Sequence, residues 1–213
     1  MINSQLIRNS QHCQRNWNLE LTIPQEHIDL IVDAATQAPY KQNLIYHRVH
    51  VITDRAVIES IYNVSEGYNK TSMFYDYNPQ ILANLVIGFE RKNIKDIDNV
   101  SPELTRNRET YLKSINQLDP SLEKYLYMDM DMAIGIAAGY TVLTANYLGY
   151  KTGFCKCFDT VIAQDILNSQ RAVSVLLGIG FPDLNLAYNA HHRKPEYLYK
   201  TFPKEDTDII WHR

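Results

Sequence analysis

The sequence predicts an α+β protein built around one core. Its 213 residues fit one large domain better than a tandem array of small ones. Residues 22–35 carry apolar side chains at helical spacing, whereas residues 82–89 and 173–179 are short apolar runs typical of buried strands. Hydrophobic residues make up 45% of the chain and charged residues 21%, as in ordinary globular proteins. We therefore predict a single domain over residues 1–213.

The first part of the chain predicts a helix, a strand and a second helix. In residues 22–35, Thr22 and Gln25 have the spacing of a capping box ahead of the apolar positions. Residues 47–53 alternate around two valines like a strand. Asp54 follows immediately and is expected to be the N-cap of a short helix.

Five further segments have recognisable patterns. In chain order they are a polar and helical surface excursion at 92–127, a helix at 121–148, an extended segment at 152–157, a helix after Asp159, and the buried strand at 173–179. The apolar face of the helix after Asp159 is expected to carry Val161, Ile162, Ile166 and Leu167. The tail at 195–213 is too apolar for a free end, so we expect it to dock, with a partner subunit as one possible surface.

Residues 133–150 are eighteen residues without a charge, but they do not predict a membrane span. They contain three glycines, two threonines, an asparagine and three tyrosines, and Asp129 and Asp131 come just before them. Gly135 and Gly139 would let another helix approach closely, within a subunit or across a dimer. We expect the two aspartates on the helix surface and three alternating methionines in the core, namely Met128, Met130 and Met132.

Composition limits the compartment and the partners. The first residues contain no apolar segment of the secretory type, and three cysteines are too few for a disulfide scaffold. A cytoplasmic address is therefore expected. The formal net charge of −3 argues against a nucleic-acid binder that relies on bulk positive charge, so any anion site must be local.

The common metal and nucleotide motifs are missing from the sequence. His47 and His50, three apart on a strand, point to opposite faces and cannot hold one ion together. Cys13, Cys155 and Cys157 lack a fourth ligand at metal-site spacing, so no metal is predicted. The glycines of residues 178–180 close a strand and do not open a helix, as the dinucleotide fingerprint requires.

Two basic clusters stand at opposite ends of the otherwise acidic chain, at residues 11–15 and 191–195. Each alone reads as a solvated charged turn. Chain ends are often neighbours in folded domains, so together the clusters could clamp a phosphate. In that arrangement Arg193 would supply a planar fork, and His12 or His191 would supply a further donor.

Six motifs in order make the chain resemble the nitroreductase family of flavin mononucleotide (FMN) enzymes over nearly its whole length. The matching segments are Gln11 to Arg15 with the aromatic Trp17, the helix start Thr22 to Glu26, the helix exit Ala38 to Asn43, the run Leu148 to Phe154 with Phe158 and Asp159, the strand end Gly178 to Pro182, and Arg193 to Pro195. The resemblance implies a central mixed sheet flanked by helices. It also implies an intertwined homodimer with a long interface helix and a crossing C-terminal arm.

The same resemblance implies the cofactor and its contacts. FMN would bind between subunits, with Gln11, His12, Cys13, His191 and Arg193 around its phosphate and Arg15 at one edge of the ring. Pro39, Tyr40, Lys41 and Asn43 would come from the other subunit, and the loop Phe154, Cys155, Lys156 and Cys157 would pass the reactive edge. No side chain is assigned as a catalytic acid or base, because the cofactor carries the chemistry.

The implied activity is transfer of a hydride from NAD(P)H through FMN to a nitroaromatic, a quinone or a similar acceptor. Three departures from the family pattern keep alternatives open: Gln11 stands where an arginine is usual, Cys13 replaces a serine, and Tyr40 and Lys41 replace small serines. One alternative is a specialised flavin dehydrogenase or dehalogenase on the same fold. The other is a flavin-binding protein without catalysis.

Overall fold

The structure, a computed structural model, describes residues 4–41, 45–65, 77–92, 123–191, 193–199, 201 and 203–212. Within these residues the helices are α1 (Ser4–Asn9), α2 (Gln25–Thr36), α3 (Arg55–Tyr62), α4 (Glu123–Tyr147) and α5 (Thr160–Ile166). The strands are β1 (His47–Ile52), β2 (Leu85–Arg91), β3 (Lys151–Cys155), β4 (Val173–Gly180), β5 (Ala190–His191) and β6 (Lys194–Leu198). A 3₁₀ turn, Pro79–Ile81, precedes β2.

Four strands form the main sheet in the order β1-β2-β4-β3. Ile87 of β2 lies opposite Val51 of β1 and Leu177 of β4, and Gly153 of β3 lies opposite Gly178 of β4. The two predicted buried strands are therefore confirmed as the centre of the sheet. Each neighbouring pair runs antiparallel, so the described strands do not form the mixed sheet that we expected.

Helices cover both faces of the sheet. On one face, α2 and α4 pack on β2 and β4, and the buried residues include Ile31, Phe89 and Leu177. On the other face, α3, α5 and the 3₁₀ turn pack on the same two strands. Alternate residues of a strand point to opposite faces, which explains why an unbroken apolar run serves two cores.

The cap predictions have mixed outcomes. The carboxylate of Asp54 accepts hydrogen bonds from two backbone N–H groups at 2.7 and 3.1 Å, so it caps α3 as predicted. Asp159 caps α5 in the same way. The capping box of Thr22 and Gln25 was wrong, because α2 begins at Gln25 and the residue before it, Pro24, makes no side-chain cap.

Two predictions about apolar helix faces were correct for only some of their residues. Met130 is buried, but Met128 and Met132 are more than half exposed, because they lie on the side of α4 that faces away from the sheet. On α5, Val161 and Ile162 are exposed and the small residue Ala163 is buried, whereas Ile166 and Leu167 pack against the core as predicted.

The remaining segments complete the fold. Of the predicted excursion at 92–127, residues 93–122 lie outside the described residues, and α4 begins at Glu123. Strands β5 and β6 pair as a small antiparallel hairpin, whereas residues 209–211 beyond them are exposed in this chain. No helix of the described part has the length and apolarity needed to cross a membrane, which agrees with the rejection of a span at 133–150.

Candidate functional site

The candidate site begins where residues 13–17 lie along the edge strand β3. The backbone N–H of Gln14 donates to the carbonyl of Thr152 at 2.9 Å. Asn16 is fully buried, and its side-chain amide donates to the carbonyl of Ala187 in the loop after β4. These bonds fix the N-terminal segment against both the sheet and the C-terminal loop.

Residues 78–84 are the second wall of the site, and glycines of β4 make room for them. A Cβ atom built on Gly178 would overlap the carbonyl oxygen of Gln80, and one built on Gly180 would overlap the side-chain oxygen of Asn84. Any larger residue would push this wall away from the sheet. The glycines are therefore needed here for close approach.

The side chain of Gln80 links three parts of the site. Its Oε1 accepts a hydrogen bond from Nη1 of Arg15 at 3.2 Å. Its Nε2 donates to the carbonyl oxygen of Phe154 at 2.6 Å and also contacts Sγ of Cys13. Gln80 is only 4% exposed, so this amide joins the N-terminal segment to the end of β3 away from solvent.

Arg15 is a cation without a carboxylate partner among the described residues. Its guanidinium meets the amide of Gln80, and its Cζ lies 4.5 Å from the centre of the Tyr199 ring. Its Nε is buried and has no hydrogen-bond partner there. Several other cations of the described part do pair with carboxylates, namely Lys41, Arg48, Arg91 and Arg193.

The structure brings the two basic clusters together. The backbone N–H of Arg15 donates to the carbonyl of Tyr188 at 2.9 Å, and the ring of His12 lies 4.9 Å from the ring of Tyr188. The Tyr199 ring, which Arg15 faces, also stacks at 6.3 Å on His191. The two segments therefore lie near each other within one chain, and Tyr188 and Tyr199 connect them.

His191 and Arg193 occupy different surroundings. His191 is buried, and its Nδ1 accepts the backbone N–H of Arg193 at 3.0 Å. A neutral His191 then carries its proton on Nε2, which lies 2.9 Å from the hydroxyl of Tyr62. The guanidinium of Arg193 bonds instead to the carboxylate of Glu59, so its charge is already compensated.

The N-terminal residues before Arg15 line the rim of the site. Gln11 and His12 are exposed, whereas Cys13 is partly buried. The Cys13 thiol lies 3.5 Å from the carbonyl oxygen of Phe154. Burial raises the pKa of Cys13, and the contact with Gln80 only partly offsets that effect, so the thiol stays protonated at neutral pH.

The end of β3 forms the opposite rim. Phe154 is 42% exposed and Lys156 is exposed, whereas Cys155 points into the core and is only 2% exposed. Sγ of Cys155 accepts a hydrogen bond from the side-chain amide of Asn78 at 3.2 Å. Burial raises the pKa of Cys155 to about 12, which makes it an inert packing residue, whereas Cys157 is partly exposed.

Residues Pro39, Tyr40 and Lys41 are not part of this cluster within one chain. Tyr40 packs on the α2 and α4 face of the sheet, and its hydroxyl donates to the carbonyl of Ala35 at 3.2 Å. Lys41 forms an ion pair with Asp129 of α4. The sheet thus separates these residues from Gln80, and Asn43 lies outside the described residues.

Three residues that organise the site were not selected as site residues from the sequence. Asn16 and Gln80 are buried polar side chains, and Tyr199 covers the Arg15 guanidinium. Asn78 caps the turn that positions Gln80, and an Asn-Pro pair just before an apolar run could have marked that turn. Nothing in the sequence pattern indicated that Tyr199 would meet a residue near the other end of the chain.

Within the described ranges, no three His, Cys, Asp or Glu side chains come together as a metal site would need. The imidazole of His50 bonds instead to the buried carboxylate of Glu90 at 2.9 Å. His47 is buried against the carbonyl of Ala35.

Comparison with known proteins identified similarity in fold but not in sequence. No sequence-family model matches the chain, and no curated protein has a significantly similar sequence. Among solved structures, a nitroreductase family protein from Streptococcus pneumoniae TIGR4 matches with a TM-score of 0.69 and 15% identity over 98% of each chain.

FMN is mentioned in the names of two further solved structures. A candidate NAD(P)H:FMN oxidoreductase from Staphylococcus epidermidis ATCC 12228 matches with a TM-score of 0.68 and 17% identity over 86% of this chain and 88% of its own. A candidate nitroreductase from Exiguobacterium sibiricum 255-15, solved in complex with FMN, matches with a TM-score of 0.67 and 18% identity over 95% and 94%. The chain therefore has the fold of nitroreductase family proteins.

Proposed function

We propose that this chain is an FMN-dependent oxidoreductase that takes electrons from NAD(P)H. The observation that carries the proposal is Arg15, a partly buried cation for which the described part of the chain provides no carboxylate. A desolvated charge is costly unless it is paired, so this position suits an anionic ligand. The shared fold supports FMN as that ligand, because one relative with this fold was solved with FMN.

The residues of the site fit FMN in kind. The buried Nε of Arg15 offers an unused donor, and His12, Gln11 and the Cys13 thiol add polar groups on the same segment. His191 joins them through the Tyr199 ring. When bound, FMN would supply the redox chemistry by accepting a hydride from NAD(P)H and passing electrons to a nitroaromatic, a quinone or a similar acceptor.

The chain's own residues would bind and orient the cofactor and shield it from water. Arg15 places a positive charge where a ligand gains negative charge, which stabilises that charge in a low-dielectric site. The ring of Tyr199 covers the guanidinium and keeps water from one side of it. Arg193 already pairs with Glu59, so it contributes to a phosphate clamp only if the phosphate replaces that carboxylate.

A homodimer is part of the proposal. Exposed apolar or small residues follow one another at helical spacing along α4, namely Met128, Met132, Gly135, Gly139 and Tyr147. Added Cβ atoms at the two glycines would meet nothing within 4 Å in this chain, which leaves space for a partner helix. The family resemblance implies that a second copy would then contribute its Tyr40 and Lys41 to the site. Sedimentation equilibrium should give twice the chain mass, and a monomer at micromolar concentration would contradict this part.

The function is tested by spectroscopy of the purified protein. We expect a yellow protein, or one that becomes yellow with added FMN, whose absorbance near 450 nm bleaches when NADH or NADPH is added without oxygen. If the bound flavin stays oxidised with both NADH and NADPH, the protein is not an NAD(P)H-dependent reductase. A panel of nitroaromatics and quinones then distinguishes a broad reductase from a specialised enzyme.

The role of Arg15 is tested by Arg15→Met. Loss of a charged hydrogen bond of about 1.5 to 3 kcal/mol should weaken FMN binding roughly 10- to 100-fold, measured by quenching of FMN fluorescence. Arg171→Met is a matched control, because Arg171 is exposed and lies just before β4, outside the contacts that hold Arg15. Equal dissociation constants for the two variants would show that Arg15 does not bind the cofactor.

A further inference from the structure

Gln80 is a buried polar side chain of the site that has no part in the function proposed above. Its amide has a forced orientation. Arg15 can only donate hydrogen bonds and the carbonyl of Phe154 can only accept them, so Oε1 must face Arg15 and Nε2 must face Phe154. The glutamine therefore connects the cation to the loop at the end of β3.

The backbone around Gln80 is held as firmly as its side chain. The side chain of Asn78 accepts the N–H of Gln80 at 3.4 Å, and the 3₁₀ turn closes with a bond from Leu82 to Pro79 at 3.0 Å. Gly178 lies directly beneath the Gln80 carbonyl. Several independent contacts thus place one amide beside one guanidinium, as expected for a residue that must be held in place.

The chemistry of the contact matters as much as its position. A guanidinium has five N–H donors, and Gln80 engages Nη1, while Nε has no partner among the described residues. A carboxylate in place of the amide would hold Arg15 equally well but would neutralise it. The neutral amide orients the guanidinium and leaves its charge available to a ligand.

We propose that Gln80 is a positioning residue, which orients Arg15 toward the cofactor without neutralising it and thereby sets the affinity for FMN and its reduction potential. This inference rests on the proposed function, because it needs FMN at Arg15. It assigns Gln80 an action through Arg15, in addition to any contact of its own with the ligand.

The test compares Gln80→Glu with Gln80→Met. Gln80→Glu keeps the shape, but it adds a negative charge beside Arg15 and loses the donor to the Phe154 carbonyl, which together should weaken FMN binding at least about tenfold. Negative charge also disfavours reduced flavin, so the midpoint potential should fall by about 30 mV, the value for a tenfold change in a two-electron couple. Gln80→Met removes the bond without adding charge, so it should weaken binding with a smaller fall in potential. Gln170→Glu is the matched control, because Gln170 is exposed just before β4 and carries the same charge change.

A double-mutant cycle separates positioning from a merely structural role. If Gln80 acts through Arg15, Gln80→Met should change the FMN dissociation constant much less in the Arg15→Met background than in the wild type. Equal fold-changes in the two backgrounds would overturn the proposal. So would a Gln80→Glu protein with wild-type affinity and potential, and in that case FMN binding by the wild type would leave the proposed function standing. A wild-type protein that binds no FMN would instead overturn the proposed function, and this inference with it.

Discussion

Gly153 offers a direct test of how the N-terminal segment is held on the sheet. A Cβ atom at this position would lie 2.5 Å from the carbonyl oxygen of Gln14, a distance that has to open to at least 3.0 Å. The two backbones must therefore separate by 0.5 Å or more (3.0 − 2.5 Å). Gln14 cannot yield easily, because its N–H bonds to Thr152 and its side chain is buried.

We expect Gly153→Ala to lower the free energy of unfolding by about 1 to 2 kcal/mol. Overpacking of this kind destabilises a protein by roughly 1 to 3 kcal/mol. Alanine has a lower backbone entropy than glycine in the unfolded state, which offsets about 0.4 to 1 kcal/mol of that destabilisation. For a chain of this size each kcal/mol moves the melting temperature by about 2 to 4 °C. The melting temperature should therefore fall by roughly 2 to 8 °C on the same scale.

Gly88→Ala is the matched control on the neighbouring part of the sheet. Its Cβ would meet the end of the Leu176 side chain at 3.3 Å, and a flexible side chain can move. Its stability should therefore stay within about 1 kcal/mol of the wild type. Urea unfolding of all three proteins at one concentration measures the difference. Equal midpoints for Gly153→Ala and Gly88→Ala would refute the close approach of Gln14 to β3.

Three further predictions concern single side chains. With its pKa raised to about 12, Cys155 should resist iodoacetamide at pH 8 until urea unfolds the chain, and mass spectrometry of native and unfolded samples would reveal any early labelling. Burial lowers the pKa of His47 below 6.5, so the unfolded state takes up its proton first as pH falls and stability declines below pH 6.5. The loss in unfolding free energy between pH 7 and pH 5 should be smaller in His47→Gln, and identical slopes would contradict this origin. Asp159→Ala should lose about 1 kcal/mol by removing two cap bonds, whereas Asp159→Asn should retain most of the stability in urea titrations.

The elements that the sequence predicted correctly depend on near neighbours in the chain. Apolar spacing located the central strands β2 and β4 and the long helix α4, and Asp54 and Asp159 marked two helix starts. The errors arose where tertiary packing decides which residues are buried. Met128 and Val161 are apolar yet exposed in this chain. Residue type does not reveal which side of a helix meets the core.

The site residues show the same difference between local sequence pattern and tertiary contact. The sequence alone determined that cationic residues stand at both ends of the chain, and the resemblance of its motifs led to the fold that solved structures share. Only the tertiary structure decided that Arg15 lies without a carboxylate beside Gln80 while Arg193 pairs with Glu59. These pairings join residues 65 and 134 positions apart, and the first depends on the close approach of Gln80 that Gly178 of β4 allows. Charge and spacing can be read along a chain, but compensation of charge depends on distances in space.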